Sequence, residues 1–248
     1  MSKVLPAGMT VEILFTCWNR KAYSRASMQL LKQNTDWSRV SRLVVYDDGS
    51  EDGTFEAVRD IGATIGVPAF EMREGGWRSI GATMNDYVAL TESEWFVKID
   101  NDIAVPPGWL ERLLYVSDGY DLVGMEAAFT SDYRGLLAPG YYSVQKARHH
   151  IGGVGLMRTQ AFVHRRPVPL SKGRNGFTIW QHRNHLRVGW ITPDLPAVQL
   201  DRIPQDPWQS LAADYCMKGW SRPWEPYGSD MSYWWSWIPR DVARKAAR

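Results

Sequence analysis

Cysteine is scarce. Two residues in 248 are too few for a disulfide framework. Long apolar runs are missing as well: no stretch approaches the ~18–20 uninterrupted apolar residues that a membrane-spanning helix needs. Neither sign of charge dominates, with 29 Lys and Arg against 27 Asp and Glu and a net +2. Such a balance offers no broad basic surface for nucleic acid. Met1 to Thr10 is mixed and shows no signal-peptide pattern, so a cytoplasmic protein is expected. Two phosphate-binding fingerprints are absent too. No G-x-x-x-x-G-K-S/T occurs, which excludes a P-loop. No G-x-G-x-x-G follows the first apolar run, which disfavours a dinucleotide fold of the usual kind.

What is present is an ordinary globular balance of 44% apolar and 23% charged residues, which excludes intrinsic disorder. Tryptophan is abundant. Six of the 13 follow Ile203: Trp208, Trp220, Trp224, Trp234, Trp235 and Trp237. Such rings pack cores or stack on sugars and bases. The chain alternates strand and helix through its first half. Val11–Thr16, Leu43–Tyr46, Ala69–Met72 and Trp95–Ile99 read as strands. Ala22–Lys32, Thr54–Ile61, Ser79–Leu90 and Gly108–Val116 read as helices. That order predicts an α/β fold with a mostly parallel central sheet flanked by helices. The second half is less regular. Leu122–Met125, Ile151–Met157 and Ala197–Leu200 read as strands, Ser131–His150 as loop and Thr178–Val188 as helix. One domain over 1–203 is expected, in two halves at 1–116 and 117–203, with an irregular Trp-rich extension over 204–248.

Polar clusters follow three of the strong strands, where such sheets carry their sites. Thr16-Cys17-Trp18-Asn19-Arg20 follows the first and suits phosphate or nucleobase contacts. Asp47-Asp48-Gly49-Ser50 follows the second. Its carboxylates suit ribose hydroxyls or a base N–H. A calcium loop counted from Asp48 fails, because Arg59 stands where a bidentate glutamate is needed. Asp100-Asn101-Asp102 follows the fourth strand. Two carboxylates so spaced suit a hard divalent cation shared with a diphosphate. Taken singly, each cluster is also ordinary turn and cap chemistry.

Together, FTCWNR, VVYDDGSEDGT and FVKIDND resemble the GT-A glycosyltransferases, and within them the family 2 type. Gly152-Gly153-Val154-Gly155, followed by Arg158 and Phe162, resembles that family's acceptor-side strand. The resemblance covers about residues 11–190. It implies a GT-A (Rossmann-like) fold and sugar transfer from a nucleotide-diphosphate sugar, a UDP-sugar first, to an acceptor hydroxyl. It implies Mn²⁺ or Mg²⁺ on Asp102 and Asp100, and nucleotide-sugar contacts from Thr16, Asn19, Arg20, Asp47, Asp48, Asn85, Asp100 and Asn101. Met84 stands where the family carries an arginine, so only Asn85 of that pair carries over.

The chain departs from the family at the general base. Aligning Gly189 with the family glycine puts Phe177 and Thr178 where a Glu-Asp pair is usual. Glu126, Asp194 and Asp201 are the replacement candidates. A retaining enzyme would need no such base. His182 and His185, three apart on the expected helix, are candidate third metal ligands. Gly153, Trp180, Trp224 and Trp234 are candidates for the acceptor side. A protein, a saccharide, a modified nucleic-acid base and a small molecule are all open as acceptors. Two rival readings remain. One is a non-catalytic nucleotide-sugar or carbohydrate-binding module, supported by the missing acid pair. The other is a sugar-nucleotidyltransferase, disfavoured because Thr16–Arg20 lacks glycine.

Overall fold

The computed structural model describes residues 9–75, 79–125, 127–128, 143–146, 153–163, 165, 167–169, 180, 183–192 and 197–200. Its strands are β1 (Val11–Cys17), β2 (Val40–Asp47), β3 (Ala69–Glu74), β4 (Trp95–Asp100), β5 (Ile103–Ala104), β6 (Leu122–Met125), β7 (Ala127–Ala128), β8 (Ser143–Lys146), β9 (Val154–Arg158), β10 (Val188–Thr192) and β11 (Ala197–Gln199). Its helices are α1 (Lys21–Asn34), α2 (Thr54–Gly62), α3 (Ile80–Leu90), α4 (Trp109–Val116) and the short α5 (Gln160–Val163).

Eight strands form the main sheet, in the order β3-β2-β1-β4-β9-β6-β10-β8. β3, β2, β1, β4, β6 and β10 run one way, and β9 and β8 run against them. The sequence-based expectation of a mostly parallel sheet between helices therefore holds. β1 lies between β2 and β4, so three of the strongest apolar runs are immediate neighbours. Their carboxyl ends share one edge, where Cys17 pairs with Asp47 and Thr16 with Asp100.

Alternation along β1 divides the core. Val11, Ile13, Phe15 and Cys17 join the cluster that holds Met28 and Leu31 of α1, Val58 of α2, and Trp109 and Leu113 of α4. Leu14 faces the other way. It joins Tyr46, Met84 and Tyr87, Phe96, Met157, Phe162 and Trp180 under α3 and α5. Burying a large side chain of this kind is worth about 1.5–3 kcal/mol. The polar end of the buried Trp109 ring is also satisfied: its Nε1 donates to Thr35 Oγ1 at 3.0 Å.

The second half departs from expectation in two places. Thr178–Val188 does not form one helix. Both the backbone N–H and the side-chain amide of Asn184 donate to the Trp180 carbonyl, and His185 then enters the left-handed region at φ 52°. That is the chemistry of a helix end. β-branched Val188 and Ile191 follow and form β10 with Gly189. The expected loop over 131–150 contains a strand, because β8 pairs with β10 across more than 40 residues of sequence. A small second sheet, β5-β11-β7, lies beside the D-x-D segment. The Leu200 N–H donates to the Asp102 carbonyl at 2.7 Å and fixes that closeness.

Candidate active site

The site is built where β1, β2 and β4 end. After β1 the chain turns sharply: Asn19 and Arg20 both take the left-handed conformation, at φ 50° and 67°. Asparagine tolerates this, but arginine does so at a cost of about 1 kcal/mol or more. The contacts around the turn offset that cost. The Asn19 N–H donates to Ser50 Oγ at 2.7 Å, and Asn19 Oδ1 accepts the Glu51 N–H at 2.8 Å. The Asn19 carbonyl accepts Asn101 Nδ2 at 3.0 Å. One residue therefore ties all three strand ends together. Asn101 is buried, and its second amide bond, to Ser24 Oγ at 2.7 Å, anchors the D-x-D turn on α1.

In the second cluster the two aspartates differ. Asp47 is buried and shapes its own turn: it accepts the Ser50 N–H at 2.8 Å and the Ser50 hydroxyl. Cys17 Sγ also lies on Asp47 Oδ1, at 3.4 Å. Burial and that neighbouring carboxylate push the Cys17 thiol pKa well up, so it stays protonated and inert. Asp48 is half-buried, with its backbone fixed by a 2.8 Å bond from its N–H to the Cys17 carbonyl. Asp52 closes the turn. It accepts the N–H of Lys21 at 3.0 Å, together with the N–H and hydroxyl of Thr54 at 3.0 and 2.6 Å. Burial alone would raise its pKa, yet these bonds hold it below the usual carboxylate range.

In the third cluster each carboxylate meets a cation. Asp102 is 6% exposed and accepts Arg20 Nη1 on Oδ2 at 3.1 Å. The Asp100 side chain keeps 38% of its exposure and is paired through Oδ1 with the Lys98 ammonium. Thr16 Oγ1 donates to the same oxygen at 3.1 Å. The other oxygen, Oδ2, faces Gly153: a Cβ there would lie 3.3 Å from it and 2.6 Å from two Ile103 carbons. The Asp100 N–H donates to the Gly153 carbonyl at 2.8 Å, so this glycine is a close approach between β4 and the start of β9. Oxygen donors at a strand end, with a side-chain-free neighbour, fit a hard divalent cation.

Thr16, Asn19, Arg20, Asp47, Asp48, Asp100, Asn101, Asp102 and Gly153 are thus all at one edge. Asn85 is used elsewhere: its amide makes two bonds to the Val168 backbone, at 2.9 and 2.8 Å, and fastens α3 to that segment. Trp180 is 3% exposed and stacks on Phe162 with ring centroids 4.8 Å apart. It packs the second core, because a flat apolar ring beside Phe96 and Phe162 gains more from burial than from water. His185 is exposed in its turn. Among the described residues no three His, Cys, Asp or Glu side chains gather as a metal site. Gly189 lies inside β10, and Phe177 and Thr178, which the alignment sets against the family's acids, lie outside the described residues. Glu126, Asp194, Asp201, His182, Trp224 and Trp234 lie outside the described residues. Sequence reading passed over Lys98. The signal was present, since alternation in WFVKID puts Lys98 and Asp100 on one strand face.

Comparison with known proteins agrees with this geometry. A family model described as glycosyl transferase family 2 matches residues 12–152, more than half of the chain. No curated protein matches. Among solved structures, S. aureus TarS 1-349 in complex with UDP-GlcNAc is 17% identical, with a TM-score of 0.58 over 77% of this chain and 58% of that one. M. tuberculosis glucosyl-3-phosphoglycerate synthase with Mn²⁺, UDP-glucose and glycerol 3-phosphate is 17% identical, with a TM-score of 0.53 over 84% of this chain and 76% of that one. The chain spans 61% of TarS 1-349 and 36% of a longer TarS chain. At this identity the solved structures show a shared GT-A fold, and with the family model matching residues 12–152 the chain belongs to glycosyl transferase family 2.

Proposed function

We propose that the chain transfers a sugar from a UDP-sugar to an acceptor hydroxyl with the help of a divalent cation. One observation carries the reading: the carboxyl ends of three adjacent parallel strands bring Asp48, Asp100 and Asp102 to one edge with Arg20. Asp48, the half-buried acid of its pair, receives the nucleoside through ribose hydroxyls or a base N–H. Asp47 holds the turn beneath it. Arg20 faces the diphosphate. Asp100 and Asp102 would hold Mn²⁺ or Mg²⁺, which supplies positive charge to the departing nucleoside diphosphate. Thr16, Gly153 and Asn101 fix where those two carboxylates stand, so donor and acceptor meet in line. Solved structures of the same fold hold UDP-GlcNAc in one case, and Mn²⁺ with UDP-glucose in another, which supports the donor class and the metal. Residues 1–203 form the transferase unit of this proposal, with 204–248 as an extension.

The test is nucleotide release from UDP-, GDP-, CMP- and dTDP-sugars, with and without Mn²⁺, across a panel of acceptors. Metal-dependent release of UDP, lost in Asp102→Ala protein that remains folded, is the expected result. Donor binding with no turnover on any acceptor would instead make the chain a binding module. No binding of any nucleotide would overturn the proposal.

A further inference from the structure

We propose that Lys98 makes metal binding at this site depend on the diphosphate, by acting as a built-in counter-charge to the D-x-D carboxylates. The inference rests on the proposed function and deepens it. Lys98 is a lysine within a strand, only 6% exposed, and its ammonium is paired with Asp100. Its register neighbours are Leu14 on β1 and Gly155 on β9, an apolar side chain and none at all. Arg20 answers Asp102 in the same way. The two carboxylates that would hold a cation thus already face two cations of the chain itself, and the four groups together carry no net charge.

The consequence follows from electrostatics in a partly buried site, where interactions exceed those in water several-fold. A divalent cation arriving alone meets Lys98 and Arg20 at close range. A diphosphate arriving alone meets Asp100 and Asp102. Arriving together, their charges cancel, and the two cations of the chain turn from carboxylate partners into phosphate partners. Metal and nucleotide therefore bind with strong positive coupling, and linkage requires each to raise the affinity of the other by the same factor. Metal without donor is held weakly.

Mn²⁺ binding followed by electron paramagnetic resonance, at zero and at saturating UDP, reads this without any turnover. In the wild-type protein UDP should tighten Mn²⁺ by tenfold or more. Lys98→Met keeps the stem and removes the charge. It should bind Mn²⁺ alone at least tenfold tighter than wild type, with a smaller effect of UDP. Lys98→Arg should restore wild-type behaviour. Lys98→Met protein that binds Mn²⁺ alone within twofold of wild type would overturn the inference. If that variant does not fold, the wild-type titration still decides, since equal Mn²⁺ affinity with and without UDP contradicts the inference. Failure of UDP to bind at any Mn²⁺ concentration would be failure of the proposed function instead.

Discussion

The two ends of the parallel strands both bury carboxylates, and they use them differently. At the amino end Glu12 is buried, and its Oε2 accepts Arg42 at 2.7 Å, the Tyr87 hydroxyl at 2.7 Å and Thr91 at 2.9 Å. Burial and the Glu12 charge push the Tyr87 hydroxyl pKa up, so it remains a donor. That network is closed: its donors come from β2, α3 and the residue after α3, and they hold the helix to the sheet. At the carboxyl end the carboxylates sit on turns, and the two of the D-x-D segment, one of them over a third exposed, each pair with a cation, Asp102 with Arg20 and Asp100 with Lys98. A buried acid alone does not mark a site. What marks it is a strand-end position with charge held in pairs that an incoming ligand can exchange.

Substitutions at the two ends should separate. Asp102→Asn is expected to cost transfer about 10²–10³-fold or more, the scale of losing a key electrostatic group, in protein that still folds. Glu12→Ala should do the reverse. Breaking the Arg42 pair and stranding the Tyr87 hydroxyl should cost about 2–4 kcal/mol in denaturant unfolding, with donor affinity kept in the folded fraction. Gly153→Ala belongs to the carboxyl end but acts by packing. A methyl group 2.6 Å from two Ile103 side-chain carbons must displace that buried side chain, so about 1–3 kcal/mol should be lost together with donor affinity. Acid should act on the carboxyl end through Asp52. Its carboxyl group titrates lower in the folded chain than in the unfolded one, so its contribution is present above the ordinary value of about 4 and fades as pH falls below it. Asp52→Asn should flatten that acid limb of the stability profile. The smallest effect is expected at Cys17: in Cys216→Ser protein the remaining thiol should resist a thiol-titrating reagent at neutral pH until the chain unfolds.

The first half of the fold was legible because its signals are local. VEILFT, LVVY and WFVKI are short apolar runs, each followed at once by a polar turn, and placing those turns at strand ends was enough to gather the site. The second half was not legible in the same way. β10 is decided by a left-handed His185 and by pairing with β8 and β6, neither of which a helical-looking string such as TIWQHRNHLRVG displays. Within the expected site, the sequence does not show what each side chain bonds. Asp47 and Asp48 are adjacent and alike in sequence, and only the structure separates the buried acid that builds the turn from its half-buried neighbour. Asn85 and Trp180 were read as ligand contacts, whereas one clasps Val168 and the other stacks in the core. A sequence does not show which polar groups are already spoken for.

The central claim is that the carboxyl edge of β1, β2 and β4 is a metal-assisted nucleotide-diphosphate site. Calorimetric titration of UDP into wild-type and Asp102→Asn protein, each with and without Mn²⁺, tests it most directly. Wild type should bind UDP with an affinity that Mn²⁺ strengthens tenfold or more, and Asp102→Asn should show no such strengthening. Equal UDP affinity in all four titrations, or none in any, would contradict it.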